Sequence, residues 1–323
     1  MSESWRPSAA TEVMKSRARM LRDIRAFFDQ RGVLEVETPL LSSTCTTDPN
    51  LNSFTTRYQQ QALYLNTSPE HCMKRLLAAN GDAIYQICKS FRDDELGPTH
   101  NPEFTMLEWY RPGFDMFQLM DELAELVQIL ATQYALNCAV NKISYAEAFQ
   151  HATGINPHST TASECRNCAL QYNIEQPVGL VDEVDEWLDW LLTQLVIPSF
   201  QTDGFTCIYD YPQSQAALAK LHRNNHGFIV AARFELFYGE TELANGFNEL
   251  LDAAEQRQRF ELENRQRLKS GLQASVIDEH LIDALQYGLP ACSGVALGLD
   301  RLLMLMVGAD KLDHVIAFPF SRI

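Results

Sequence analysis

Between Ile84 and Tyr110 the chain reads IYQICKSFRDDELGPTHNPEFTMLEWY. Two strands joined by a loop are expected here. In the second, Phe104, Met106, Glu108 and Tyr110 alternate with Thr105, Leu107 and Trp109. Side chains on a strand change face at every residue, so an aromatic ring, a carboxylate and a phenol share one surface. Just upstream, Phe91-Arg92-Asp93-Asp94 sets a guanidinium near the turn. An arginine fork grips phosphate through paired hydrogen bonds. An aromatic plane can hold a purine base, and a carboxylate can hold an ammonium. These are parts for binding a nucleotide beside a cationic small molecule. The same residues would also make an ordinary half-buried hairpin with solvated charges.

Three further stretches carry chemistry. Glu235, Glu242 and Glu249 recur every seven residues among strand-like neighbours. Carboxylates so placed suit Mg²⁺ bridging nucleotide phosphates, although surface acids at such spacing are common. In Thr67-Ser68-Pro69-Glu70, Ser68 can cap a following helix, Pro69 fits its first turn and Glu70 favours its positive end. From Gly294 to Arg301 the string GVALGLDR spaces glycines ahead of an arginine. Glycine lets the backbone approach a ligand, and an arginine at a helix start can reach a phosphate. Glycine-spaced strings are, however, usually turns.

Periodicity supplies the elements that would position these groups. A helix is expected from Thr11 to Gln30, with Gly32 as its stop, then a strand from Val33 to Glu37 ended by Pro39. Ser42 to Tyr58 reads as a loop and Ala62 to Leu65 as a strand. Asp115 to Tyr134 is an amphipathic helix. Ser144 and Glu147 form a capping box for a short helix to Thr153. Ala162 to Tyr172 is another. Leu180 to Val196 has one apolar side and an acidic side facing solvent. Gly204 to Asp210 and Phe228 to Tyr238 read as strands. Asp252 to Ser270 is a charged surface helix, Asp278 to Tyr287 a further helix, and Leu302 to Val307 an apolar one. No linker breaks 112–200, which reads as an insertion in one domain covering 1–323.

The chain has 323 residues with 46% hydrophobic, enough for a sizeable core. With 26 basic and 42 acidic residues the net charge is −16, which argues against a large nucleic-acid footprint. There is no N-terminal apolar region of the secretory kind and no run of about 18 apolar residues, so neither export nor membrane insertion is expected and a cytoplasmic protein is. Eight cysteines are scattered, and Cys165-x-x-Cys168, the only close pair, reads as two reduced thiols on a helix.

The stretch from Phe91 to Tyr110 resembles motif 2 of class II aminoacyl-tRNA synthetases of the lysyl type, with Asp94 where that family has Glu. The first helix, glycine, strand and proline resemble motif 1, its dimer-forming element. T-S-P-E resembles the lysyl-type motif that receives the substrate amino group, and ELANGFNEL (242–250) matches a lysyl-type string almost letter for letter. Gly294 to Arg301 resembles motif 3, with Ala296 in place of its middle glycine. No segment ahead of the first helix would supply an anticodon-binding domain. A lysyl-like core of this kind is similar to the elongation factor P–(R)-β-lysine ligase family.

The resemblance implies an α+β class II synthetase fold, a mainly antiparallel sheet flanked by helices, and a homodimer through Thr11 to Pro39. It implies an ATP-dependent ligase that activates (R)-β-lysine, or lysine more weakly, as an adenylate and passes it to a lysine of elongation factor P. No stable tRNA binding is expected. Arg92 and Arg301 would be catalytic. ATP would meet Arg92, Asp93, Asp94, Asn101, Phe104, Glu242, Leu243, Gly298 and Arg301, and Glu235 with Glu242 would hold Mg²⁺. Ser68, Pro69 and Glu70 would receive the amino acid near its reacting end. Glu108, Tyr110 and Glu249 would hold its distal ammonium, Asn245 would also meet the amino acid, and Ala296 would shape the pocket. Competing readings are a truncated synthetase acting on tRNA, a non-catalytic synthetase-like regulator and an asparagine-synthetase relative.

Overall fold

The computed structural model describes residues 5–134 and 136–323. Among these residues two compact units emerge, one within 5–115 and 251–323, the other within 116–250. In chain order, the first unit opens with helix α1 (Thr11–Asp29), strands β1 (Leu34–Glu35), β2 (Leu41–Ser42), β3 (Thr55–Tyr58) and β4 (Gln61–Leu65), helix α2 (Glu70–Asn80), and the hairpin β5 (Ile84–Phe91) and β6 (Glu103–Pro112). The second unit holds α3 (Met116–Thr132), β7 (Val140–Ser144), α4 (Tyr145–Thr153), α5 (Ala162–Gln171), α6 (Val184–Leu191), β8 (Phe205–Pro212), β9 (Leu221–Arg223), β10 (Ile229–Tyr238) and β11 (Thr241–Asn248). The chain then returns to the first unit with α7 (Ala253–Lys269), α8 (Glu279–Gly288), β12 (Cys292–Gly298) and α9 (Leu299–Met306).

Within the first unit the strands run β1-β5-β6-β12, and β2-β4-β3 make a small separate sheet. Within the second they run β11-β10-β8-β7, with β9 beside β10. Apart from parallel β1–β5 and β7–β8, the strand pairings described are antiparallel. The fold is thus α+β, mainly antiparallel, with flanking helices.

The first core forms where the apolar stripe of α1 meets the hairpin. Phe28 is fully buried and stacks on Tyr85 at 4.4 Å between ring centroids, with Trp109 edge-on at 5.4 Å. Burying such a ring contributes roughly 1.5–3 kcal/mol. Asp300 fixes the far end: buried, it accepts the Thr105 N–H at 2.6 Å and an ion pair from Arg17 of α1. The second core gathers Tyr145, Phe149, Trp187, Leu191, Ile208 and Tyr211.

Several boundaries differ from the sequence reading. Thr55–Tyr58 is a strand, not loop, because it pairs with Gln61–Leu65 across a turn at Gln59, whose φ is +54°. The helix expected from Leu180 begins at Val184, since Asp182 turns back to accept the Trp187 Nε1–H at 3.0 Å. Past Leu191 it continues as one π turn and a 3₁₀ turn. Its acidic side is not only solvated, because Asp185 accepts from Ser214 and Asp189 from Gln215. The last apolar helix starts at Leu299 rather than Leu302. Cys165 and Cys168 are buried free thiols on α5. No helix among the described residues is long and apolar enough to cross a membrane.

Candidate active site

The hairpin forms as its alternation predicts, from Ile84↔Tyr110 to Phe91↔Glu103. Both faces of its second strand are covered, so Thr105 to Tyr110 are all buried. β12 pairs on the other side of β6, which creates rows of facing residues. Gln86, Glu108 and Ala296 form one row, Ile84, Tyr110 and Gly294 the next, and Cys88, Met106 and Gly298 the third. Residues directly opposite put their Cβ atoms about 4.5–5.5 Å apart on one face. Ala296 therefore stands beside the carboxylate of Glu108, with a glycine opposite the strand neighbours on either side.

Glu108 is 2% exposed. A buried carboxylate needs donors, because leaving it unpaired costs several kcal/mol. Tyr110 OH donates to its Oε1 at 2.6 Å and Ser68 Oγ to its Oε2 at 2.8 Å. Burial, then the Glu108 charge, pushes the Cys88 thiol up to about 12, so no thiolate competes here. Thr38 Oγ1 donates to Gln86 Oε1 at 2.9 Å, tying the segment after β1 to the same row.

Ser68 sits one residue earlier than a helix cap. Pro69 takes the cap position of α2, and the Glu70 N–H donates to Ser68 Oγ at 3.0 Å. With its one hydrogen given to Glu108, Ser68 can offer a ligand only a lone pair. Glu70 is already paired: the ammonium of buried Lys74 lies 2.7 Å from its Oε1, one turn along the helix.

At the turn, the Arg92 guanidinium carbon lies 5.1 Å from the Phe104 ring centroid, and Nη1 is 3.5 Å from Glu95. Its Nε is buried without a hydrogen-bond partner. A buried donor left unpaired costs about 1–3 kcal/mol, which a ligand acceptor would remove. Asp93 and Asp94 are exposed. Asp94 adopts the left-handed region at φ +67°, which Asp tolerates better than most residues, and its N–H donates to Asp93 Oδ1 at 3.0 Å. Asn101 is committed to the backbone, donating to Glu103 O at 2.6 Å and accepting the Phe320 N–H at 2.9 Å.

Gly298 ends β12, and Arg301 lies in the first turn of α9. Arg301 donates through Nε to Thr99 O at 3.1 Å, and its Nη2 lies 2.6 Å from His100 Nε2. A guanidinium can only donate, so that imidazole nitrogen carries no proton. Burial, then the Arg301 charge, lowers the His100 pKa and keeps the ring neutral. Arg92 and Arg301 are thus held by the 92–102 loop, with Phe104 just past its end on β6, while Ser68, Pro69, Glu70, Glu108, Tyr110 and Ala296 gather around the middle of β6.

In the second unit, Glu235 on β10 faces Asn245 on β11. Arg233 binds both, pairing through Nη2 with Glu235 Oε1 and donating through Nε to Asn245 Oδ1 at 3.3 Å. Tyr211 OH donates to Glu235 Oε2 at 2.7 Å. Burial disfavours the Arg233 charge, but Glu235, Tyr211 and Glu242 together more than offset this and its pKa is raised. Each oxygen of Glu235 therefore accepts one hydrogen bond, one of them from a cation, so a Mg²⁺ ion held there would share the carboxylate with Arg233 and Tyr211. No group of three or more His, Cys, Asp and Glu side chains suited to a metal is found among the described residues. Glu242 is exposed and Leu243 buried, on β11, while buried Glu249 follows that strand and bridges Ala219. Arg233 is the residue the sequence reading missed; its one signal is an R-x-E spacing on a strand, which puts both side chains on one face.

A buried carboxylate facing a strand-borne alanine, and two arginines held at the 92–102 loop, are what the first unit supplies. Residues 3–322 match the family of class II tRNA synthetases (D, K and N), and the chain belongs to that family. Among its relatives are the elongation factor P–(R)-β-lysine ligases of Salmonella arizonae and Salmonella paratyphi B. It is 47% identical to each over 331 aligned positions, covering 100% of this chain and of the relative.

Proposed function

We propose that this protein is an ATP-dependent ligase that activates (R)-β-lysine, with lysine a weaker substrate, and transfers it to the ε-amino group of a lysine on elongation factor P. Family membership and the named activity of full-length relatives support this reading. The observation that carries the substrate class is buried Glu108, held by Ser68 and Tyr110 and faced by Ala296. A preformed, desolvated carboxylate suits an ammonium.

In the first step a carboxylate oxygen of the amino acid attacks the α-phosphorus of ATP; an O–P bond forms and pyrophosphate leaves. ATP enters as its Mg²⁺ complex. Arg92 offers its unpartnered Nε and fork to the α-phosphate and the substrate carboxylate, Phe104 and the Asp93–Asp94 turn receive the adenine end, and Arg301 meets the γ-phosphate. Little covalent chemistry falls to the protein; positioning and charge neutralisation lower the barrier. Ser68, Pro69 and Glu70 line the reacting end of the amino acid, and Glu108 with Tyr110 takes the distal ammonium. For Asn101, Glu242, Leu243, Gly298, Asn245 and Glu249 the proposal keeps the roles the family resemblance implies. In the second step the neutral ε-amine of the acceptor lysine attacks the adenylate carbonyl, an amide forms, AMP leaves and the amine loses its proton. Pairing of two copies through Thr11 to Pro39 and a cytoplasmic location belong to the same reading.

Intact-mass measurement of elongation factor P after incubation with enzyme, ATP and (R)-β-lysine tests it, with tRNA as parallel acceptor. One added β-lysyl group on the protein is expected. An unchanged mass together with charged tRNA would assign the enzyme to tRNA instead.

A further inference from the structure

The turn at Arg92 is tied to a helix far from it in sequence. The segment from Thr47 to Asn52 runs between them, inside the first unit. At one end, Thr47 Oγ1 is buried and donates to Glu263 Oε2 of α7. One turn further along that helix, Arg267 is 8% exposed. Its Nη1 donates to the carbonyls of Asp48 at 2.7 Å and Leu51 at 3.1 Å, and its Nε to that of Gln273 at 3.0 Å. At the other end, the Asp93 N–H donates to Asn52 O at 2.9 Å, and Asn52 Nδ2 lies 3.5 Å from Asp94 Oδ2. A guanidinium aimed at main-chain carbonyls fixes backbone. The backbone it fixes is the one on which the Asp93–Asp94 turn hangs.

We infer that Arg267 is a positioning residue for the Arg92–Asp94 turn, acting through the Thr47–Asn52 segment, so that it sets nucleotide affinity without touching the nucleotide. The inference rests on the proposed role of that turn in ATP binding. The selectivity follows from where the contacts end. Ser68, Glu108 and Tyr110 bond to one another and to α2, and none of their hydrogen bonds given above runs through this segment. Lysine at 267 would keep the charge but, with a single nitrogen, could not hold Gln273 O, which Nε holds, while also holding the Asp48 and Leu51 carbonyls that Nη1 holds.

Pyrophosphate exchange with Arg267→Lys tests this. The KM for ATP is expected to rise about fivefold or more while the KM for (R)-β-lysine stays within about twofold. Equal rises in both, or no rise for ATP, overturn the inference. If Arg267→Lys does not fold, Thr47→Val decides, since it loosens the same segment from Glu263 and should give the same split. Arg92→Lys serves as the reference. If it leaves the KM for ATP unchanged, the reading of the turn fails and the inference with it. If it raises that KM and neither segment variant does, the inference alone fails.

Discussion

Ala296 on β12 lies in direct antiparallel register with Glu108 on β6. Its methyl group therefore occupies space beside the one buried carboxylate that Ser68 and Tyr110 both serve. A single methyl in a pocket is worth about 1–3 kcal/mol in discrimination. Ala296→Gly should raise activation of α-lysine relative to (R)-β-lysine by roughly tenfold on that basis. Pyrophosphate exchange with both substrates checks this, and an unchanged ratio defeats it.

Tyr110→Phe and Ser68→Ala each remove one donor from Glu108. A buried acceptor stripped of a partner costs about 1–3 kcal/mol, so the KM for the amino acid should rise roughly 5- to 100-fold with that for ATP little altered. The double variant should fall short of the summed effects, because both donors serve one carboxylate. Steady-state exchange kinetics of the three variants measure the coupling; strict additivity would contradict a shared role.

Arg301 depends on a neutral His100. The folded-state pKa of His100 is lowered, so its contribution is fully present above the ordinary imidazole value of about 6.5 and is lost as pH falls through the folded value. The KM for ATP should accordingly rise on acidification below that range. His100→Gln supplies an amide oxygen that cannot be protonated there, and its profile should be flatter. A wild-type and variant profile of the same shape would exclude His100 as the cause.

Glu263 titrates in the opposite sense. Burial raises its pKa to about 7, against the lowering influence of Thr47; Asp48 raises it further, while His71 and Arg259 lower it. For an acid raised from 4.5 to about 7, the folded state prefers the protonated form. Stability from this group is present below the unfolded value and declines as pH climbs between the two values. At about 1.4 kcal/mol per pKa unit, the term is on the order of a few kcal/mol. Glu263→Gln should therefore gain melting temperature over wild type from pH 5 to 8, most at the alkaline end. Thermal melts across that range test it, and a constant offset would refute the titration.

What local spacing carries was readable from the chain alone. The alternation from Phe104 to Tyr110 gives the strand and the face shared by Glu108 and Tyr110, and the Ser144–Glu147 pair gives its capping box, which the structure repeats at Thr161 and Glu164. The motif strings likewise announced the family. Tertiary structure alone decided what each charge does. Arg267 reads as one more cation on a surface helix, yet it is buried because its acceptors are carbonyls of Asp48 and Leu51, more than two hundred residues away in sequence. Glu235 reads as a metal ligand, and only the fold shows that Arg233 and Tyr211 bond its two oxygens. Register between two strands, not spacing along one, sets Ala296 beside Glu108. Periodicity records which face a residue turns toward, because that is local backbone geometry. It holds nothing about which distant donor or acceptor fills that face, because any chain segment brought there by folding can supply it.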